Sequence, residues 1–118
     1  MLEKKDFCDQ DMIAGLKEIG FPVKTMKIKG LDNGFEEQPV PVLLYEAQKW
    51  LRTFKQIEAS AAWDSEAGKW FWYVVLMDYP DLSGIYVSRN STYDLYETAL
   101  SDGIKEVIQK IKNGEYDV

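Results

Sequence analysis

The chain has 118 residues, of which 46% are apolar and 14% aromatic, so it is long and apolar enough to build one domain around its own core. This composition excludes a disordered chain and a disulfide scaffold. The 14 basic and 20 acidic side chains give a net charge of −6, which argues against a protein that mainly grips nucleic-acid phosphates. The chain contains no histidine, and this excludes His-based catalytic triads and His-ligated metals.

The sequence carries no pattern of a membrane or secreted protein. No apolar stretch follows the lysines near Met1, so no signal peptide is predicted. The longest apolar run, Trp70 to Met77, is far shorter than the roughly 20 residues of a membrane-spanning helix. Cys8 is the single cysteine and cannot close an intramolecular disulfide. We therefore predict a cytoplasmic protein in which Cys8 is a packed thiol rather than a nucleophile, because no histidine can activate it.

The first element is predicted as a helix over about residues 9–20. Met12, Leu16 and Ile19 recur at spacings of four and three residues, and Gly20 stands where a helix-ending glycine belongs. Residues 23–29 are compatible with a short strand.

Glycines and prolines between residues 30 and 41 predict a long, mobile loop. A second helix is predicted over about residues 43–55, since Ala47, Trp50, Leu51 and Phe54 lie on one helical face.

A β-hairpin is predicted next, with strands at about 57–63 and 69–78 around a turn that contains Gly68. If Asp64 faces Lys69, small residues of the first strand lie opposite large residues of the second. Such pairs interdigitate in a core layer, so this register is favoured.

A third strand at about 84–88 and a terminal helix at about 92–112 complete the chain. Ser91 is the expected N-cap of this helix, and Gly103 lies in the middle of its apolar face, where it would allow close approach to a tryptophan. The predicted fold class is α+β: a three-stranded antiparallel meander packed on one face by the helices at 43–55 and 92–112. We expect the N-terminal helix to cover the other face or an edge.

Three motifs resemble a group of small proteins encoded by phages and integrated elements of gut bacteria. They are the helix end at residues 16–21 (LKEIGF), the helix at 47–52 (AQKWLR) and the terminal helix at 92–104 (TYDLYETALSDGI). The resemblance implies a small cytoplasmic accessory protein of mobile-element origin. It implies no catalytic, cofactor-binding or metal-binding residues.

The second face of the predicted sheet is the main functional candidate. Three interpretations are open: the N-terminal region covers this face, a protein partner or a second copy binds it, or it stacks single-stranded nucleic acid. The third interpretation needs surrounding basic residues, and residues 60–118 hold 5 basic and 10 acidic side chains. The candidate residues are Phe71, Tyr73, Val75 and Met77, with Tyr86 as a possible addition.

Carboxylates offer a weaker alternative. Asp64, Asp78 and Asp81 lie in or near predicted turns, and Asp32, Glu36 and Glu37 lie in the predicted loop. Turns and solvated loops account for these positions, and nothing selects a metal site or an acid–base pair among them. The sequence therefore favours a non-enzymatic interaction protein that acts through the sheet face or through residues 23–41, and a small enzyme with a carboxylate site is the rival hypothesis.

Overall fold

The computed structural model describes residues 1–30, 34–77, 84–88 and 91–116. Within these residues, three helices and five strands alternate in an α+β arrangement. In chain order they are α1 (Gln10–Glu18), β1 (Thr25–Lys29), β2 (Phe35–Pro39), α2 (Leu44–Trp50), β3 (Ile57–Asp64), β4 (Lys69–Leu76), β5 (Ile85–Val87) and α3 (Tyr96–Lys112).

The central sheet is the predicted antiparallel meander. Strands β3, β4 and β5 pair in that order, so the most apolar strand lies in the middle. The predicted register is confirmed: Asp64 pairs with Lys69, and Ala59 pairs with Val74. β4 ends at Leu76, and Asp78 lies outside the described residues.

The core lies between the sheet and the helices. Gly103 is buried on α3, and a Cβ atom added there would lie 3.0 Å from the Cβ of Trp72. The expected close approach of this glycine to a tryptophan is thus confirmed. The largest side chains without solvent contact come from the helices and both long strands: Met12, Leu16, Leu51, Ile57, Val74, Ile104 and Val107.

Helix α1 packs on α3, and the expectation that it covers the second face or an edge of the sheet is wrong. A Cβ atom added at Gly15 would lie 2.8 Å from the Cγ2 of Ile108, so the two helices are in close contact. Met12 and Leu16 are buried in the same cluster as Ile57. The apolar stripe of α1 therefore belongs to the helical layer, which already occupies the core face of the sheet.

Helix α3 begins at Tyr96, four residues after the predicted start. The backbone N–H of Trp70 donates to the carbonyl oxygen of Tyr93 at 2.8 Å, and the N–H of Tyr93 donates back at 3.2 Å. This bridge to β4 keeps the preceding segment extended. Leu95, and not the predicted Ser91, occupies the N-cap position, and its side chain makes no capping bond.

The second predicted helix changes its winding partway. Regular α-helix ends at Trp50 and a π-helical turn follows at Leu51–Lys55. The wider turn rotates the later side chains relative to the apolar stripe. Phe54, predicted on the buried face, is consequently 69% exposed and packs on the Trp50 ring at a centroid distance of 5.9 Å.

Strands β1 and β2 form a separate two-stranded hairpin, where residues 30–41 were predicted to be a loop. Lys27 pairs with Glu37, and all five residues of β1 are exposed. The molecule measures 55 × 33 × 22 Å with a radius of gyration of 16.0 Å. A compact chain of this length has a radius of gyration of about 13.5 Å. The possible strand at residues 23–29 is thus confirmed as β1, whereas β2 was missed because its sequence, FEEQP, lacks apolar alternation and ends in a proline.

Candidate interaction face

The face of the meander opposite the helices carries a continuous set of apolar side chains. Residues alternate between faces along a strand, so the burial of Val74 and Leu76 toward the helices places their neighbours on the other side. We call this second surface the open face. Its uncharged residues are Ser60 and Ala62 from β3, Phe71, Tyr73 and Val75 from β4, and Ile85 and Val87 from β5.

The open face has an uneven surface. On β3, Ser60 pairs with Tyr73 and Ala62 pairs with Phe71, so small side chains lie directly beside large aromatic rings. On the other side, Val87 also pairs with Tyr73. The face therefore presents a ridge along β4 with a shallow trough along β3.

Exposure rises from the centre of the open face toward β5. Phe71, Tyr73 and Val75 are half-buried, whereas Ile85 is 42% exposed and Val87 56% exposed. Met77, which follows β4, is 39% exposed. A contiguous set of apolar side chains open to solvent is typical of an interaction surface.

Among the residues that the structure describes, charged groups lie only at the two ends of the open face. At one end, the Glu58 carboxylate accepts from Arg52 Nε at 2.9 Å. At the other end, Lys69 forms an ion pair with Asp94, close to Asp64. The middle of the face is therefore uncharged, although the chain as a whole carries −6.

Tyr86, which sequence reasoning added to this face, lies on the opposite one. It pairs with the buried Val74, and its ring lies 5.6 Å from the ring of Tyr116. Burial raises the pKa of Tyr116 to about 12. Ile85 and Val87 take the place of Tyr86 on the open face, and the alternation of β5 with the β4 register could have revealed them.

A largely apolar cavity near α2 and α3 has a volume of about 520 Å³, and its lining includes Leu2, Leu43, Leu44 and Leu100. Two carboxylates reach it, and both have structural partners. The Asp6 carboxylate accepts from the backbone N–H of Glu3 at 2.7 Å, and Glu97 lies 3.8 Å from Lys5 Nζ. The cavity thus presents no pair of free polar groups directed at a common point.

The predicted turn carboxylate Asp64 stabilises the β3–β4 turn. It accepts from the backbone N–H groups of Glu66 at 3.0 Å and Ala67 at 3.2 Å. The bond from Ala67 is the main cause that lowers the pKa of Asp64. Asp32, Asp78 and Asp81 lie outside the described residues, and Glu36 and Glu37 lie on β2. Among the residues that the structure describes, no cluster of three or more metal-binding side chains occurs.

Cys8 is buried beside α1. Burial is the main cause that raises the pKa of its thiol to about 12, and the carboxylates of Asp9 and Glu46 contribute in the same direction. A thiol with this pKa carries almost no thiolate at neutral pH, and such burial is typical of a structural rather than a reactive cysteine.

Comparisons with protein-family models, curated proteins and solved structures found no match. In the described part of the chain, no helix has the length and apolar character needed to cross a membrane.

Proposed function

We propose that this chain is a small non-enzymatic protein-interaction module whose open face binds a second copy of itself. The observation that carries the proposal is the uncovered apolar surface of β4 and β5, which the N-terminal helix leaves free. The resemblance of three motifs to phage and integrated-element proteins supports a mobile-element origin, and the lone buried thiol is compatible with a cytoplasmic location.

Charge favours a second copy at this particular surface. Two chains of −6 repel each other over most of their surfaces. In the described part of the sheet, the middle of the open face contains no charged side chain, and Glu58 at one end is neutralised by Arg52. The middle of the open face is therefore the part of the surface on which two copies meet without facing like charges.

The shape of the face fits a two-fold arrangement with the axis parallel to the strands. Such an axis places β4 over β4 of the other copy and β3 over β5. Because Ser60 and Val87 both lie beside Tyr73, the trough at Ser60 then receives the exposed side chain of Val87. An axis perpendicular to the strands would place trough over trough and leave a void, which costs dispersion contacts.

The area of the open face sets the expected affinity of self-association. With a strand spacing of about 4.8 Å and a rise of about 3.3 Å per residue, the face measures roughly 14 by 20 Å. Such a face buries less than the roughly 800 Å² per partner of a standard stable interface. We therefore expect weak self-association, with a dissociation constant of about 10 µM to 1 mM.

Sedimentation equilibrium over this concentration range tests the proposal. We expect a reversible monomer–dimer equilibrium that Tyr73→Lys abolishes, because the substitution places a charge in the middle of the interface. Tyr45→Lys is the matched control, since Tyr45 is a 61% exposed tyrosine on α2. A monomer at every concentration, or a dimer that Tyr73→Lys leaves intact, would contradict the proposal.

A further inference from the structure

The β1–β2 hairpin has an unpaired backbone edge. Within the hairpin, the N–H of Val40 donates to the carbonyl of Lys24 at 2.8 Å, and the N–H of Gly30 donates to the carbonyl of Gly34 at 2.6 Å. Backbone groups alternate in direction along an antiparallel strand. The N–H and C=O groups of the intervening residues Thr25, Lys27 and Lys29 therefore point away from β2, and they meet no partner among the described residues.

This hairpin stands largely by itself. Every residue of β1 is exposed, and among the described strands β1 and β2 pair only with each other. A two-stranded hairpin alone in water is marginally stable, and a third strand stabilises it. The free edge of β1 therefore has the geometry needed to accept an added strand.

The side chains of β1 define the strand that would fit beside it. Lys27 and Lys29 lie on one face of the hairpin, whereas Met26 and Ile28 lie on the other, 42% and 40% exposed. In an antiparallel pair, opposite charges across from one another stabilise and like charges destabilise. The complementary strand thus alternates acidic and apolar residues.

The hairpins of two copies do not supply that strand well. An antiparallel β1–β1 pair centred on Lys27 places the Lys27 side chains of the two copies directly opposite each other. Like charges in this position are unfavourable. The outer edge of β2 contains Glu37 and Pro39, and proline has no N–H to donate. The basic edge therefore opposes self-pairing and leaves a strand of different sequence as the fitting partner.

We propose that the β1 edge is a second binding site, which accepts an extended peptide segment of alternating acidic and apolar residues as a third strand. This proposal goes beyond the open face and does not depend on it. A phosphate backbone fits less well, because Glu37 lies directly across from Lys27 and Glu36 across from Ile28.

Fluorescence anisotropy with the full chain tests this site. The probe is a labelled nonapeptide of alternating glutamate and valine. The titration is done at physiological salt, where the negative charges on the rest of the protein are screened beyond about 8 Å. We expect Lys27→Glu combined with Lys29→Glu to weaken binding by at least about tenfold, since two favourable cross-strand pairs become repulsive. The same variant should gain affinity for a lysine–valine peptide. Lys17→Glu combined with Lys49→Glu, at exposed positions of α1 and α2, is the charge-matched control.

N-methylated peptides separate strand addition from simple charge attraction. Methyl groups on the backbone nitrogens of one alternate set of residues should abolish binding, whereas those on the other set should not, because only one set faces the β1 edge. Equal binding of both methylated peptides, equal binding of the lysine–valine peptide, or tighter Lys27-dependent binding of single-stranded DNA would overturn the proposal. Tyr73→Lys should leave peptide binding unchanged. The peptide-binding proposal for β1 can therefore fail without affecting the proposal that the open face self-associates.

Discussion

Gly103 shows how a single missing side chain sets the distance between α3 and the sheet. Its position faces the Cβ of Trp72, where an added Cβ would lie 3.0 Å away, closer than ordinary van der Waals contact. A glycine inside a helix costs about 1 kcal/mol relative to alanine. The close packing of the helix on Trp72 offsets this cost.

Substituting Gly103 tests the contact. We expect Gly103→Leu to lower the free energy of unfolding by about 1–3 kcal/mol, because the larger side chain overpacks the helix–sheet interface. Urea denaturation measures this change, and Thr98→Leu, at an exposed position of the same helix, is the control. A midpoint for Gly103→Leu equal to that of the wild type would show that this face of α3 does not pack on the sheet.

Cys8 provides a test of burial that depends on pH. Its thiol has a folded pKa of about 12 against an ordinary 9.0. As pH rises above about 9, the unfolded chain loses the thiol proton first, so the free energy of unfolding should fall between pH 9 and 12. The fall should be smaller in Cys8→Ala. At pH 8, alkylation by iodoacetamide should be much slower in the native protein than in urea, and equal rates would contradict the burial of this thiol.

At the level of elements, α2 protects one edge of the sheet. The Gln48 side-chain N–H donates to the carbonyl of Ala59 on β3 at 2.8 Å. Ala59 points its backbone groups away from β4, so this bond satisfies a carbonyl of the outer edge. An edge strand covered in this way is less available for pairing with other chains.

Replacing the Gln48 side chain tests this role. We expect Gln48→Ala to lower the free energy of unfolding by about 1 kcal/mol, because the Ala59 carbonyl loses its donor. Lys49→Ala, a change at an exposed neighbouring position, should have little effect in the same thermal or urea measurement. Equal effects of the two substitutions would show that the bond contributes nothing to stability.

The elements that the sequence predicted well are those with a strong apolar pattern. The β3–β4 register followed from small residues opposite large ones, as in the pair of Ala61 and Trp72. The β2 half of the β1–β2 hairpin escaped prediction because its sequence lacks apolar alternation and the strand has no buried residue. The start of α3 was misplaced because the bridge between Trp70 and Tyr93 is a tertiary contact with no local signal.

At the scale of the whole molecule, the candidate site was predicted in part. The alternation of β4 correctly grouped Phe71, Tyr73 and Val75 on one surface. It could not show that α1 packs on α3, because the apolar stripe of α1 fits a helix and a sheet equally well. The assignment of Tyr86 was wrong because a three-residue strand offers too short a pattern to decide which residues face the core.

The acidity of the molecule leads to a further prediction about nucleic acid. The chain carries −6, and the described residues place no basic side chain in the middle of the open face. We expect single-stranded DNA or RNA to bind more weakly than micromolar at physiological salt, because stacking platforms for nucleic acid need a basic surround. Fluorescence anisotropy measures this affinity, and a tight complex that weakens as salt is added would overturn the expectation.

The central claim is that a second copy covers the open face, and isotope-filtered NOE spectroscopy tests it most directly. A mixture of labelled and unlabelled chains at high concentration reports only contacts between copies. We expect intermolecular NOEs from the methyl groups of Val87 to Ser60 of the other copy, and from the methyl groups of Val75 to the ring of Tyr73 on the opposite β4 strand. The absence of such NOEs in a sample that sedimentation shows to be dimeric, or intermolecular NOEs confined to α2 or to the β1–β2 hairpin, would contradict the claim.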